Sequence, residues 1–75
     1  MVDFSLPRQE AVKLEAYDVR GRRVRLLIHE GRGVGIHQVA WVGRDDSGEL
    51  LGSGLYLVRL SWAGGALVGR AAFVR

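Results

Sequence analysis

Seventy-five residues without a cysteine make one small domain, near the size at which a single core only just offsets the entropy of ordering the chain, and they exclude a disulfide framework or a thiolate metal site. A hydrophobic fraction of 48% with a single proline argues for a folded chain and against disorder. Eleven bases set among eight acids, for a net charge of +3 and a pI near 10.2, permit an acidic partner without demanding one. No run approaches the ~18 apolar residues of a membrane span. The opening "MVDFSLPRQE" lacks the basic and apolar regions of a signal peptide. Neither membrane insertion nor an export signal within this chain is therefore expected.

Apolar and polar residues alternate through most of the chain, the period of half-buried strands. Val2, Phe4 and Leu6 alternate with Asp3 and Ser5 before Pro7, giving a short edge strand. Val12, Leu14 and Ala16 alternate with Lys13 and Glu15 in a second, and "RVRLLI" sets Val24, Leu26 and Ile28 on one face of a third. The "DVRGRR" between them reads as a hairpin turn with Gly21 at positive φ. "EGRGVGIH" reads as a loop between sheets, after which His37, Val39 and Trp41 alternate into a fourth strand. "VGRDDSGELLGSG" is rich in turn formers. Tyr56, Val58, Leu60 and Trp62 make a fifth strand with Leu55 and Leu57 on its other face, and "AGG" closes a hairpin into a last strand from Ala66 to Val74. No segment has a helical period. The expected class is all-β, a small sandwich with turns every eight to twelve residues.

Several constellations invite a chemical reading. Arg20, Arg22, Arg23 and Arg25, with Lys13 near by, could contact phosphates, but single-strand binders interleave aromatics and Tyr17 stands alone here. A solvated turn in which Asp18 pairs with an arginine is the better account, with Arg23 and Arg25 pointing away from the face of Val24 and Leu26. Asp45, Asp46 and Glu49 resemble part of a calcium loop but lack its alternate acids and distant closing glutamate, so an Asx-type turn with Gly48 at positive φ is preferred. "GRGVG" precedes a strand, whereas a phosphate loop precedes a helix. His29 and His37 have no cysteine with which to complete a zinc set, and His37 reads as a partly buried, hydrogen-bonded residue. Ser5, Ser47, Ser53 and Ser61 show no nucleophile elbow or spaced base. Trp41, Tyr56 and Trp62 read as core. Catalytic residues, metal and cofactor are not expected.

Four pieces in this order, "FSLPRQEAVKLEAYDVRGRRVRLL", "GIHQVAWVGRDDSG", "GSGLYLVRL" and a terminal strand ending in arginine, resemble the Ig-like domain of the flagellar hook-capping protein and its relatives among C-terminal sorting modules of the type IX secretion system. The specific marks are Tyr17-Asp18-Val19 before a Gly-Arg turn, Trp41 before an Asp-Asp-Ser-Gly turn, and Ser53-Gly54 before a tyrosine-containing strand. The resemblance implies an Ig-like, fibronectin III-like antiparallel sandwich of six to seven strands. The family's Asn-Pro-Phe strand does not precede Phe4, so the first edge strand is a candidate for absence. Val42 stands where the family has Asp or Asn, and Ala71 and Ala72 where a basic and a larger apolar residue are common. The resemblance further implies a non-catalytic accessory module at the end of a larger exported bacterial protein, secreted or at the cell surface. Its partners would be proteins, either secretion machinery or its own passenger, met by the outer strands and by Arg70 and Arg75. An uncovered sheet edge would also allow self-association, as in a hook cap. Binding of nucleic acid ranks last of the three readings.

Overall fold

The computed structural model describes residues 2–73, the side chain of Phe73 excepted. The strands among them are β1 (Val2–Leu6), β2 (Glu10–Tyr17), β3 (Arg23–Arg32), β4 (Gly35–Val39), β5 (Gly54–Trp62) and β6 (Gly65–Phe73). All pairings are antiparallel. They form a two-stranded layer, β1-β4, and a four-stranded layer in the order β3-β2-β5-β6. The architecture is the expected all-β sandwich, compatible with a small Ig-like fold.

The core lies between the layers. Val12, Leu14 and Ala16 of β2 and Tyr56, Val58 and Leu60 of β5 are buried on one face of the large sheet. Leu6 is buried from β1, and Val2, Phe4 and Val39 pack in beside it from the small sheet. Trp41 and Tyr56 meet edge to face, 5.8 Å between ring centroids at 84°, the arrangement favoured by the ring quadrupoles. The indole N–H donates to the Arg44 carbonyl at 3.0 Å, and the Tyr56 hydroxyl donates to the Gly52 carbonyl at 2.8 Å. Both aromatics thus bury their rings while keeping their polar atoms bonded.

The register explains why the layers match poorly in width. Ile28, Leu14, Leu60 and Leu67 are cross-strand neighbours in one row across all four strands. Their exposures run 9%, 1%, 5% and 63%. Neighbouring strands lie about 4.8 Å apart, so the outer axes of four strands are about 14 Å apart and those of two about 5 Å. The small layer therefore covers β2 and β5 and leaves the core-side face of β6 open.

Three expectations are corrected. The glycine-rich stretch is mostly strand, because β3 runs to Arg32 and β4 begins at Gly35. Ladder bonds to Glu10 and Ala11 hold Arg32 and Gly31 in place, overriding weak strand propensity. Only Gly33 and Val34 remain to carry the chain between layers, with Gly35 at φ +117°. Second, β4 ends at Val39, so Trp41 opens the following loop. Third, irregularities in the β2–β3 register fall between Leu14 and Glu15 and between Ala16 and Tyr17. Such bulges shift the side-chain alternation. As a result Val24, Leu27 and Ile28 serve the core, while Leu26 lies opposite Glu15.

Leu14→Ala removes a side chain that is 1% exposed at the crossing of the row above. Such truncations cost about 2–5 kcal/mol, and a chain of this length has only about 4–11 kcal/mol in total. A urea titration followed by far-UV circular dichroism should show the midpoint fall by about a fifth or more at unchanged slope, or show no folded baseline.

Candidate functional site

The hairpin between β2 and β3 is built on Asp18. Its Oδ1 accepts the amides of Arg20 and Arg22, each at 3.0 Å, and its own amide donates to the Arg22 carbonyl at 2.9 Å. Gly21 takes φ +86°, the left-handed region that a side chain would strain, and donates to the Asp18 carbonyl. The Arg22 Nε lies 3.3 Å from Asp18 Oδ2. The Arg22 amide above all, then the Arg20 amide and the Arg22 charge, hold the Asp18 carboxyl below its ordinary range.

Three of the four hairpin arginines, Arg20, Arg22 and Arg23, are exposed, as a solvated turn requires, and two of these are paired within the fold. Arg22 is bound to Asp18, and Arg23 lies 3.3 Å from the Glu15 carboxylate. Arg25 does not point clear of the fold as a simple hairpin would have it. It is half-buried, and its Nη1 donates to the Asp45 carbonyl at 3.0 Å. Arg20 is exposed. Glu15 is 4% exposed although it lies on the side of β2 opposite the core. Its cross-strand neighbours are Leu26 and Arg59, and Lys13 Nζ approaches its carboxylate at 3.9 Å.

The loop 40–53 closes one edge of the large sheet. Asp45 Oδ1 accepts the amides of Ser47 and Glu49 at 2.9 and 3.0 Å, and Gly48 takes φ +87°, so the "DDSG" segment is an Asx-type turn. Asp46 reaches the outer side of β3. Its amide donates to the Val24 carbonyl at 3.0 Å, and its Oδ1 accepts the Leu26 amide at 2.9 Å. One aspartate therefore does for this edge what a neighbouring strand would do. Among the described residues no group of three His, Asp or Glu is placed to hold a metal ion.

The remaining candidates fall apart in space. His37 stacks on its cross-strand partner Phe4, centroids 5.2 Å apart, and its Nε2–H donates to the Gly33 carbonyl at 2.7 Å. His29 is exposed on β3, opposite Lys13. Trp41 and Tyr56 are buried and Trp62 is half-buried, so the aromatics form no coplanar exposed platform.

What the structure presents instead is the other edge. Beyond β6 the large sheet has no further strand among the described residues. Leu67 and Val68 are 63% and 64% exposed, and Arg70 is exposed between Gly69 and Ala71. Between β6 and β1 runs a cleft of about 480 Å³, with Phe4, Leu14, Val58, Leu60, Leu67 and Ala71 among its lining residues. Sequence reasoning singled out Arg70 but missed the cleft, because strand order decides it. Arg75 and Val74 lie outside the described residues.

Two outcomes test this geometry. A carboxyl held low stabilises the fold fully above the unfolded pKa and loses that contribution as pH falls through the folded one. For Asp18 the window lies downward from 3.8, and Asp18→Asn should flatten the acid limb of a melting-temperature profile there while lowering stability at neutral pH. In Asp46→Ala the Leu26 amide loses its acceptor, so hydrogen exchange at Leu26 should quicken by about tenfold or more, the effect of about 1–2 kcal/mol, while the Leu14 amide stays protected.

A family model for the FlgD Ig-like domain matches residues 1–65, from β1 to the turn after β5, so that β6 lies almost wholly beyond the match. No curated protein and no solved structure matches the chain. The domains of this family are structural and non-enzymatic. With most of its length matched and its strands laid out as a small Ig-like sandwich, the chain belongs to the FlgD Ig-like domain family.

Proposed function

We propose that this domain is a non-catalytic accessory module of a larger exported bacterial protein, secreted or held at the cell surface, and that it acts by docking protein along β6. The observation that carries the reading is the contrast between the two edges of the large sheet. Asp46 satisfies the outer side of β3 at Val24 and Leu26, whereas β6 is nine residues long and carries one charge, Arg70, among its described side chains. Natural sheets usually blunt such an edge with charge, proline or a covering segment, and an edge left bare is a place for an added strand.

Sorting or surface attachment through type IX machinery is the finer form of this proposal. Its support is the pair of arginines, Arg70 and Arg75, that the terminal strand keeps in common with sorting modules although Ala71 and Ala72 depart from them, and the exposure of Arg70 on the bare edge. The hairpin arginines give little support to a nucleic-acid partner, since Arg22, Arg23 and Arg25 already bind groups within the fold.

The test is a cargo fusion carrying this domain, exported from a cell with the machinery. Arg70→Glu together with Arg75→Glu should reduce cargo outside the cell to background while the domain's melting temperature holds. Undiminished export of the double variant would remove the sorting form of the proposal.

A further inference from the structure

We infer that β6 pairs with β6 of a second copy of this chain, antiparallel about a two-fold axis at Gly69, joining two four-stranded layers into one eight-stranded sheet. The inference deepens the docking reading above and rests on it. It follows from which backbone groups point outward and from which side chains then meet.

The β5–β6 hairpin turns through Ala63 and Gly64, with Trp62 opposite Gly65. A two-residue turn makes its flanking pair a hydrogen-bonded one, and bonded and non-bonded pairs then alternate along the ribbon. Gly65, Leu67, Gly69, Ala71 and Phe73 thus turn their amides and carbonyls toward β5. Ala66, Val68, Arg70 and Ala72 turn theirs to the open side. The same alternation, carried across β5 and β2, makes Leu26 point outward on β3, and there its amide does bind Asp46.

A two-fold axis at Gly69 sets Ala66 against the partner's Ala72 and Val68 against the partner's Arg70. All four outward residues of each strand are then in bonded pairs, and every outward amide and carbonyl of Ala66 to Ala72 is satisfied. On the core-side face Leu67 meets the partner's Ala71, and Gly69 meets the partner's Gly69. No two bulky side chains oppose each other on that face, and on the other the Val68 methyls lie beside the partner's Arg70 stem. Sliding the register by two residues one way opposes the two Arg70 charges, which is destabilising. Sliding it the other way leaves Ala72 unpaired. The pattern of β6 therefore selects one self-pairing. Leu67, exposed although it lies in the core row, would be covered by the second copy.

The strand spans about 30 Å at ~3.3 Å per residue, and one ribbon of that length buries less than the ~1,200 Å² below which interfaces are transient. The expected species is a weak, concentration-dependent dimer, isologous by symmetry.

Gly69 makes the inference testable without harming the monomer, because a Cβ built there meets nothing within 4 Å. In sedimentation equilibrium the unmodified chain should rise from 8.3 kDa toward twice that mass as concentration increases. Gly69→Glu, which opposes like charges at the axis, should raise the half-dimer concentration by about tenfold or more. Val68→Pro, which deletes an outward amide and leaves the β5 ladder whole, should do the same. Because the chain has no cysteine, Gly69→Cys supplies a clean cross-link. Its Cα atoms would be about 4.5 Å apart in a non-bonded pair, within the ~4.4–6.8 Å that a disulfide accepts. Under mild oxidation it should form covalent dimer faster than Val42→Cys, an exposed control elsewhere on the surface. A strictly monomeric chain at every concentration, or equal cross-linking at the two positions, would overturn the self-pairing. Docking would survive that result if Arg70→Glu together with Arg75→Glu still abolished export, so the two failures are distinguishable.

Discussion

Burial of one face of a four-stranded sheet beneath a two-stranded one is the constraint from which the other features follow. A chain of this size without disulfides holds together by the apolar area it removes from water, and the inward side chains of β2 and β5 supply most of it. The small layer sits over those two strands because Leu14, Ala16, Val58 and Leu60 are there to be covered. Both outer strands of the large sheet are then left at the margin, and each is handled differently. Ile28 on β3 is buried, and its neighbours are closed off by the long loop after β4; Leu67 on β6 is not.

Three aspartates, two of them weighed in the sequence as part of a cation loop, serve the backbone instead. Asp18 accepts two amides in a turn that includes a left-handed glycine, Asp45 accepts two in the next, and Asp46 substitutes for a missing strand beside β3. Carboxylates accept such bonds more strongly than neutral groups do. Their charge is thereby committed to shape. The same holds for three of the hairpin arginines, whose guanidinium groups bind Asp18, Glu15 and the Asp45 carbonyl. A basic stretch in sequence becomes, in space, a set of local contacts, two of them with carboxylates.

Strand identity was legible wherever a clean alternation faced one core, as in Val12 to Ala16 and Tyr56 to Leu60, because period two and burial are the same fact. The Asp18 and Asp45 turns were legible too, since their side-chain-to-backbone bonds are local. What could not be read depends on neighbours distant in sequence. The bulges that send Leu26 to the outer side, the burial of Glu15 beneath Lys13 and Arg23, and the ladder that keeps Gly31 and Arg32 in β3 all require a partner strand. So does the difference between the edges. Nothing in "GALVGRAAF" says that no strand lies beyond it; that is a property of sheet order.

Sheet order also has a kinetic side. The β2–β3 and β5–β6 pairs are hairpins, closed across short turns, whereas β1–β4 and β2–β5 join segments far apart in the chain. Hairpins form in about 1–10 μs, but sandwiches dominated by distant pairings fold in about milliseconds to seconds. The β5–β6 ribbon would thus exist, with the outward groups of β6 unsatisfied, well before the layers close over Leu14. Nascent chains crowded together would meet through that ribbon first, so the strand left bare at the edge of the finished domain is also where its folding is most exposed to misassociation.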